Sequence, residues 1–278
     1  MKLPDNFIFS QSSLQDYVNC PYQFYLRHIM NLAWPAPQTD DTLRLEVQML
    51  SGARFHRLIQ QYFLGIPTDR LDAAAMADPN PQMLEWWQNF LTFIRRQSMG
   101  KISPELTLIT KLKQRRLMAK FDLVILHGST ATIFDWKTNT RPLILKTMLK
   151  RMQTRVYLYL LAQEYGILDP SLKLKFEDTR MIYWQANFPE NSLEITYSDA
   201  ACQADHLYLT HLIDEILAAS DESFHKTDNL NQCKYCNYRS LCDRGVQAGS
   251  FNSMEMDGDE FNLDTFNLDL DQINEIAF

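Results

Sequence analysis

The sequence predicts an α/β fold, and three observations carry that prediction. Segments of helical length and period alternate with shorter runs rich in apolar and β-branched residues. One of those runs, Arg115 to Lys137, reads as a β-hairpin, with strands at Leu117–Leu126 and Ala131–Trp136 around a His127-Gly128-Ser129 turn. A chain of 278 residues that is 46% hydrophobic can bury a sizeable core. Composition then separates a body, residues 1–247, from an acidic tail, residues 248–278, that is expected to be disordered.

Along the chain, Ser12 and Gln15 resemble a capping box, so a helix is expected from about Ser13. Pro21 should end it and open a second helix. Residues 43–64 read as a helix with a break or close contact at Gly52. Asp69 to Pro81 reads as a polar loop broken by prolines. Pro81 to Arg96 is an amphipathic helix whose Trp86, Trp87, Phe90 and Phe93 stripe should pack as core or lid. Glu105 to Lys113 suits a strand. After the hairpin and Pro142, Leu145 to Gly166 reads as one long helix. On it, Lys146, Lys150, Gln153 and Tyr157 would share a narrow face beside an apolar one of Leu149, Met152, Val156 and Leu160. Arg180–Gln185 and Leu193–Tyr197 read as strands. Ala200–Ala219 reads as a helix that takes Cys202 into the core, and residues 220–232 as a polar approach to a cysteine cluster.

The net charge is −7, but residues 251–278 hold eight acids and no Lys or Arg, so removing them leaves +1 on residues 1–250. A local basic groove is compatible with that balance; a globally basic footprint is not. No apolar run reaches membrane-spanning length, and the N-terminus lacks a secretion-signal pattern, so no membrane contact and a cytoplasmic location are expected. Five cysteines, an odd number, argue against a disulfide framework. Cys233, Cys236 and Cys242 stand as C-x2-C-x5-C, a ligand spacing that suits zinc or an iron–sulfur cluster.

Two carboxylates interrupt the hairpin's apolar strands, Asp122 and Asp135. A buried carboxylate is costly unless paired or bound to a cation. Two on adjacent strands, with Lys137 on the same face as Asp135, suit a hard divalent metal with oxygen ligands. A surface hairpin with ordinary charges is the plainer alternative.

Asp122 … Asp135-x-Lys137 resembles the core motif of the PD-(D/E)XK nuclease superfamily, and more narrowly of RecB-type nuclease domains. Ser12-Ser13-Leu14 … Tyr17 … Cys20-Pro21 … Phe24-Tyr25, with the late cysteines, is similar to the iron–sulfur branch. That branch includes CRISPR-associated adaptation nucleases and AddB nuclease domains. Gly52 and His56 match its first nuclease motif, and Gln153 and Tyr157 its last. The resemblance spans about residues 7–245 and departs at Ala119, where glycine is usual, and at Thr138-Asn139, where Thr-Gly is common. It implies a central mixed sheet flanked by helices, with ends joined by a [4Fe–4S] cluster on Cys20, Cys233, Cys236 and Cys242. It implies Mg²⁺ or Mn²⁺ held by His56, Asp122, Asp135 and the Trp136 carbonyl. It implies catalysis by Asp122, Asp135, Lys137, Gln153 and Tyr157, with Glu105 left open. DNA, single-stranded by preference, would lie along Lys146, Lys150, Gln153 and Tyr157. The expected reaction is metal-dependent hydrolysis of DNA, by an exonuclease of repair, recombination or CRISPR-type processing. A silent iron–sulfur DNA-binding subunit and a zinc-stapled interaction module are the alternatives. The tail, with Phe261 and Phe266 among its acids, would restrain the nuclease or recruit a protein partner.

Overall fold

The computed structural model describes residues 3–32, 40–170, 175–234 and 236–247, without the side chains of 40–46. The expectations for the tail, residues 248–278, lie outside the described residues.

Strand β1 (Ile8–Ser10) leads directly into α1 (Gln11–Asn19). The helix starts earlier than expected because Ser10, not Ser12, is its cap. The Ser10 hydroxyl accepts from the Ser13 amide at 3.2 Å, and the Ser13 hydroxyl accepts from the Ser10 amide at 2.9 Å. Cys20 is extended, which ends α1, and Pro21 opens α2 (Pro21–Phe24), followed by a π-helical turn over Tyr25–Ile29. Helix α3 (Asp40–Phe63) comes next. The segment expected as a polar loop contains α4 (Thr68–Met76), with Leu71 and Ala75 buried one turn apart. Prolines 67, 79 and 81 flank this helix instead of interrupting it. Helix α5 (Met83–Ile94) buries Trp86, Trp87 and Phe90, so its aromatic stripe is core.

Three long antiparallel strands follow: β2 (Lys101–Leu112), β3 (Arg115–His127) and β4 (Thr130–Lys137). The single helix expected from Leu145 is two helices, α6 (Leu145–Met148) and α7 (Met152–Leu168). Arg151 between them is extended, and the Thr154 hydroxyl donates to the Met148 carbonyl across the break at 2.6 Å. Strands β5 (Thr179–Gln185) and β6 (Leu193–Thr196), then α8 (Asp199–Ala218), α9 (Leu230–Lys234) and α10 (Arg239–Cys242), complete the chain described.

The sheet is mixed: β1–β3 and β4–β5 are parallel, and the other pairs antiparallel. Alternating side chains of β4 and β5 feed two cores. Ile133, Met181 and Tyr183 pack with α1, α7 and α8, while Phe134, Trp136, Ile182 and Trp184 pack with α3, α4 and α5. Helices therefore flank both faces, as expected.

Strand β3 breaks that alternation at one place. Leu117, Ala119 and Phe121 join the first core, but Leu123 and Ile125 join the second, and Val124 and Leu126 the first. The in–out pattern slips by one residue at Asp122. Opposite it on β2, Glu105 has φ +51°, a left-handed conformation rare for a non-glycine residue.

Gly100 holds the entry to β2 against β3. A Cβ there would lie 2.0 Å from the Leu126 carbonyl oxygen, which belongs to the backbone and cannot rotate away. Gly100→Ala should therefore destabilise the fold by about 1–3 kcal/mol in denaturant titrations; an unchanged midpoint would show that the strand entry is loose.

Candidate active site

A strand has only two edges. β2 pairs with β3 from Arg115 to Leu126 along one of them, so β1, at Arg116–Met118, and β4, at Leu123–His127, share the other. Between them the edge of β3 opens into a notch at residues 119–122. The Tyr157 hydroxyl fills part of it, donating to the Lys120 carbonyl at 2.6 Å. Asp122 fills the rest, its Oδ2 accepting from the Trp136 amide at 2.9 Å. The β2–β3 register, with the β3–β4 register continued by one residue, aligns Glu105, Asp122 and Asp135 across three adjacent strands.

Each acid has partners. Asp135, 2% exposed, forms an ion pair through Oδ1 with the Lys137 ammonium at 2.8 Å and accepts at Oδ2 from the Gln153 amide at 2.8 Å. Lys137 also donates to Gln153 Oε1 at 3.2 Å, which closes a three-membered ring of contacts. Asp122 Oδ1 lies 3.3 Å from His56 Nδ1, while His56 Nε2 donates to the Trp136 carbonyl at 2.9 Å. Glu105 pairs with Lys120 at 2.7 Å. Burial and the neighbouring Asp122 raise its pKa. Gly52 explains how α3 brings His56 this close: a Cβ there would stand 3.1 Å from Thr138 Oγ1, just past the D-x-K motif.

Burial alone would depress the His56 pKa, but Asp122, by charge and hydrogen bond, overrides it and pushes the value up to about 9. Burial likewise works against ionisation of Asp122, and His56 with the Trp136 amide keeps its pKa below the ordinary carboxylate value. The sign follows from the raised imidazole. On the alkaline side the pair's contribution is complete at about pH 6.5 and is lost as pH rises through about 9; in acid it is lost as Asp122 protonates. In EDTA, wild type should lose about 1–3 kcal/mol more stability than His56→Gln across that window. Parallel stability curves would show that the ion pair does not form.

The structure gathers His56, Asp122, Asp135, Trp136, Lys137 and Gln153 at the notch, and adds Glu105. It places three other expected site residues differently. Tyr157 is buried against Phe121, with ring centroids 4.8 Å apart, so it braces the notch from beneath instead of lining an open path. Lys146 and Lys150 lie before the break at Arg151 and do not share a helix face with Gln153. Two residues were missed. Fully buried Gln185 donates to the Arg141 carbonyl at 3.0 Å and accepts from the Leu143 amide at 2.9 Å. Asn187 donates to the carbonyls of Thr138 and Asn139. Both tie down the segment that follows Lys137. The one available signal was an amide ending the apolar run MIYWQ.

A second cluster lies where the ends of the body meet. Cys20, Cys233, Cys236 and Cys242 line one pocket with Gln23, Lys226, Arg239 and Arg244. Burial first, then the three other thiols, pushes the Cys236 pKa up to about 12. Cys20 Sγ accepts from the Thr227 amide at 3.4 Å, and Cys236 Sγ donates to Gln23 Oε1 at 3.7 Å. Gln23 is held in turn by buried Asp16, which also pairs with Arg27 and His28. Cys202 lies apart, buried on α8 beside Gln163.

Donor chemistry fits a hard divalent ion at the notch and a tetrathiolate-bound group in the pocket. Neither is a preformed cage: among the described residues, no three His, Cys, Asp or Glu side chains stand close enough to hold a metal ion. At the notch both Asp135 oxygens are engaged by Lys137 and Gln153, and Asp122 is engaged by His56. Among the described residues, no helix is long and apolar enough to cross a membrane.

A β-strand notch carrying Asp122 and Asp135-x-Lys137, in a mixed sheet between helices, defines a phosphodiesterase-type site. The sequence model of the PD-(D/E)XK nuclease superfamily matches residues 8–243, and the chain belongs to that superfamily. Its nucleases are phosphodiester hydrolases that generally use divalent metals such as Mg²⁺ or Mn²⁺. No curated protein matches the chain. Among solved structures, a Eubacterium rectale protein provisionally described as an exonuclease is 12% identical, with a TM-score of 0.47 over 91% of this chain and 93% of that one. The protein SSO0001 is 14% identical, with a TM-score of 0.33 over 84% of this chain and 95% of the other.

Proposed function

We propose that the protein is a metal-dependent deoxyribonuclease of the RecB type, with DNA single strands as substrate, acting from strand ends in DNA repair, recombination or CRISPR-type processing. The observation that supports this most is the ring of Asp135, Lys137 and Gln153 beside Asp122. His56, Asp122, Asp135 and the Trp136 carbonyl would hold Mg²⁺ or Mn²⁺, with Glu105 in reach of Asp122's strand position. When bound, the metal supplies polarisation of the phosphate and acidifies water. Lys137 orients the attacking water and offsets charge that builds on the phosphate oxygens. Gln153 fixes Lys137 and Asp135 relative to one another. To hold the metal beside the Asp122 carboxylate, His56 would have to be neutral, so its proton would have to leave to solvent.

The four cysteines would carry a [4Fe–4S] cluster that joins the ends of the body. Supporting this reading is the shared thiol pocket, whose Cys20 is separated by over two hundred residues from its partners. The location proposed is cytoplasmic, and the tail is assigned a protein partner.

The test uses protein purified without oxygen. It should degrade a single-stranded oligonucleotide in Mg²⁺ or Mn²⁺ and stop in EDTA. Absence of cleavage of any DNA or RNA, with the fold and metal loading verified, would replace this reading with that of a silent subunit.

A further inference from the structure

Between Asp135 and Glu164 the chain contains no acid, although its net charge is −7. That acid-free stretch begins at Asp135 of the ring and runs past Gln153, its last member. Residues 138–152 leave from Lys137 and return to Gln153, which Lys137 touches at 3.2 Å. The excursion is a strap pinned at two points. Gln185 grips Arg141 and Leu143 on the outgoing side. On the return, Met148 is buried and its carbonyl accepts from Thr154. What lies between and just after these anchors is turned outward. Ile144 is 65% exposed, Leu145 44% and Leu149 47%, alongside exposed Lys146 and Lys150.

Large aliphatic side chains held in water at a fixed place, beside a catalytic ring, call for an apolar surface to cover them. The cations among them select the occupant. A hydrophobic protein face would leave Lys146 and Lys150 without acids to meet unless it supplied them, whereas a nucleic-acid strand presents phosphates and apolar base faces at alternate positions along its length. Isoleucine and leucine are residues that wedge against bases and unstack them. Ile144 lies within about 25 Å of Lys137 even along a fully extended chain, so a strand lying in the active site reaches it within a few nucleotides.

We infer that residues 144–150 form a base-contacting platform, on which Ile144, Leu145 and Leu149 pack against unpaired bases of the substrate strand while Lys146 and Lys150 hold its phosphates. This rests on the nuclease reading and adds to it the substrate feature recognised: bases out of a duplex, not the sugar–phosphate chain alone. The platform is sequence-tolerant, since every base offers an apolar face.

The test measures binding by the full chain in EDTA, which prevents cleavage. One probe is a single-stranded oligonucleotide; the other is an abasic strand of equal length. Wild type should prefer the base-bearing strand by about tenfold. I144S/L145S should bring that preference close to one and leave the salt dependence of binding unchanged, because the phosphate contacts remain. K146Q/K150Q should do the reverse, keeping the preference while lowering the salt slope by about 1.4, roughly 0.7 per lost phosphate contact. Equal binding of both strands by wild type overturns the platform, and so does a preference that survives in I144S/L145S. If wild type cuts DNA in Mg²⁺ yet shows no preference, the platform alone fails. If it neither binds nor cuts nucleic acid, the nuclease reading fails with it.

Discussion

Asp135→Asn should give a folded protein whose cleavage rate is down at least about a thousandfold. The substitution conserves shape in a position that is 2% exposed, so the sheet and its cores have little to rearrange. It removes the negative charge that Lys137 meets at 2.8 Å and turns an acceptor into a donor facing the Gln153 amide. Lys137 then loses its ion pair and keeps the weaker contact with Gln153, and the divalent ion proposed for the notch would lose a central ligand. Lys137→Ala should be comparably inactive, and the double variant no worse than either, because the two groups act as one unit. Gln153→Ala, which removes the brace but no charge, should cost less. Initial rates on a single-stranded oligonucleotide at saturating Mn²⁺ decide the matter. A rate for Asp135→Asn within tenfold of wild type would move the chemistry away from the notch.

The second large effect concerns the thiol pocket. Cys20→Ala is expected to yield a protein without the brown colour of a thiolate-bound cluster and with a melting temperature lower by about 10 °C. The reason is linkage. A group that binds only the folded chain stabilises it, and one held by Cys20, Cys233, Cys236 and Cys242 ties together segments over two hundred residues apart in the chain. Cys202→Ala, buried on α8 and outside the pocket, should keep the colour. Anaerobic absorption spectra with iron, sulfide and zinc analysis are the readout. Stoichiometric zinc in a colourless wild type would replace the cluster with a zinc staple.

Much of the site was legible because its chemistry clashes with its surroundings. Asp122 and Asp135 stand out in apolar strands, and the spacing to Lys137 puts two charges on one face. Gly52 announced a close approach, and Thr138 is what approaches. The strands after the hairpin and the aromatic helix were equally plain. Other features depend on tertiary context. The slip in β3 is hidden because Phe121 to Leu126 is apolar on both faces around Asp122, so either alternation reads equally well. The break at Arg151 has no proline or glycine to mark it; the Thr154 hydroxyl bond to Met148 exists only once both are placed. Helix α4 was masked by its flanking prolines, and the cap at Ser10 by two more serines downstream. The role of Gln185 needs a strap that has already folded over it.

The thiol pocket also imposes an order on synthesis. Cys20 precedes Cys242 by 222 residues, so at about 5–20 residues per second it waits roughly 10–45 s on the ribosome for its last partner. His56, Asp122, Asp135, Lys137 and Gln153 all emerge within that interval. A fragment released after Gln153 but before Cys233 carries the residues proposed for catalysis with Cys20 but none of its three pocket partners. Closure of the pocket therefore marks a finished body, and stalled or clipped chains differ from it by an open amino-terminal thiol that alkylating reagents can count.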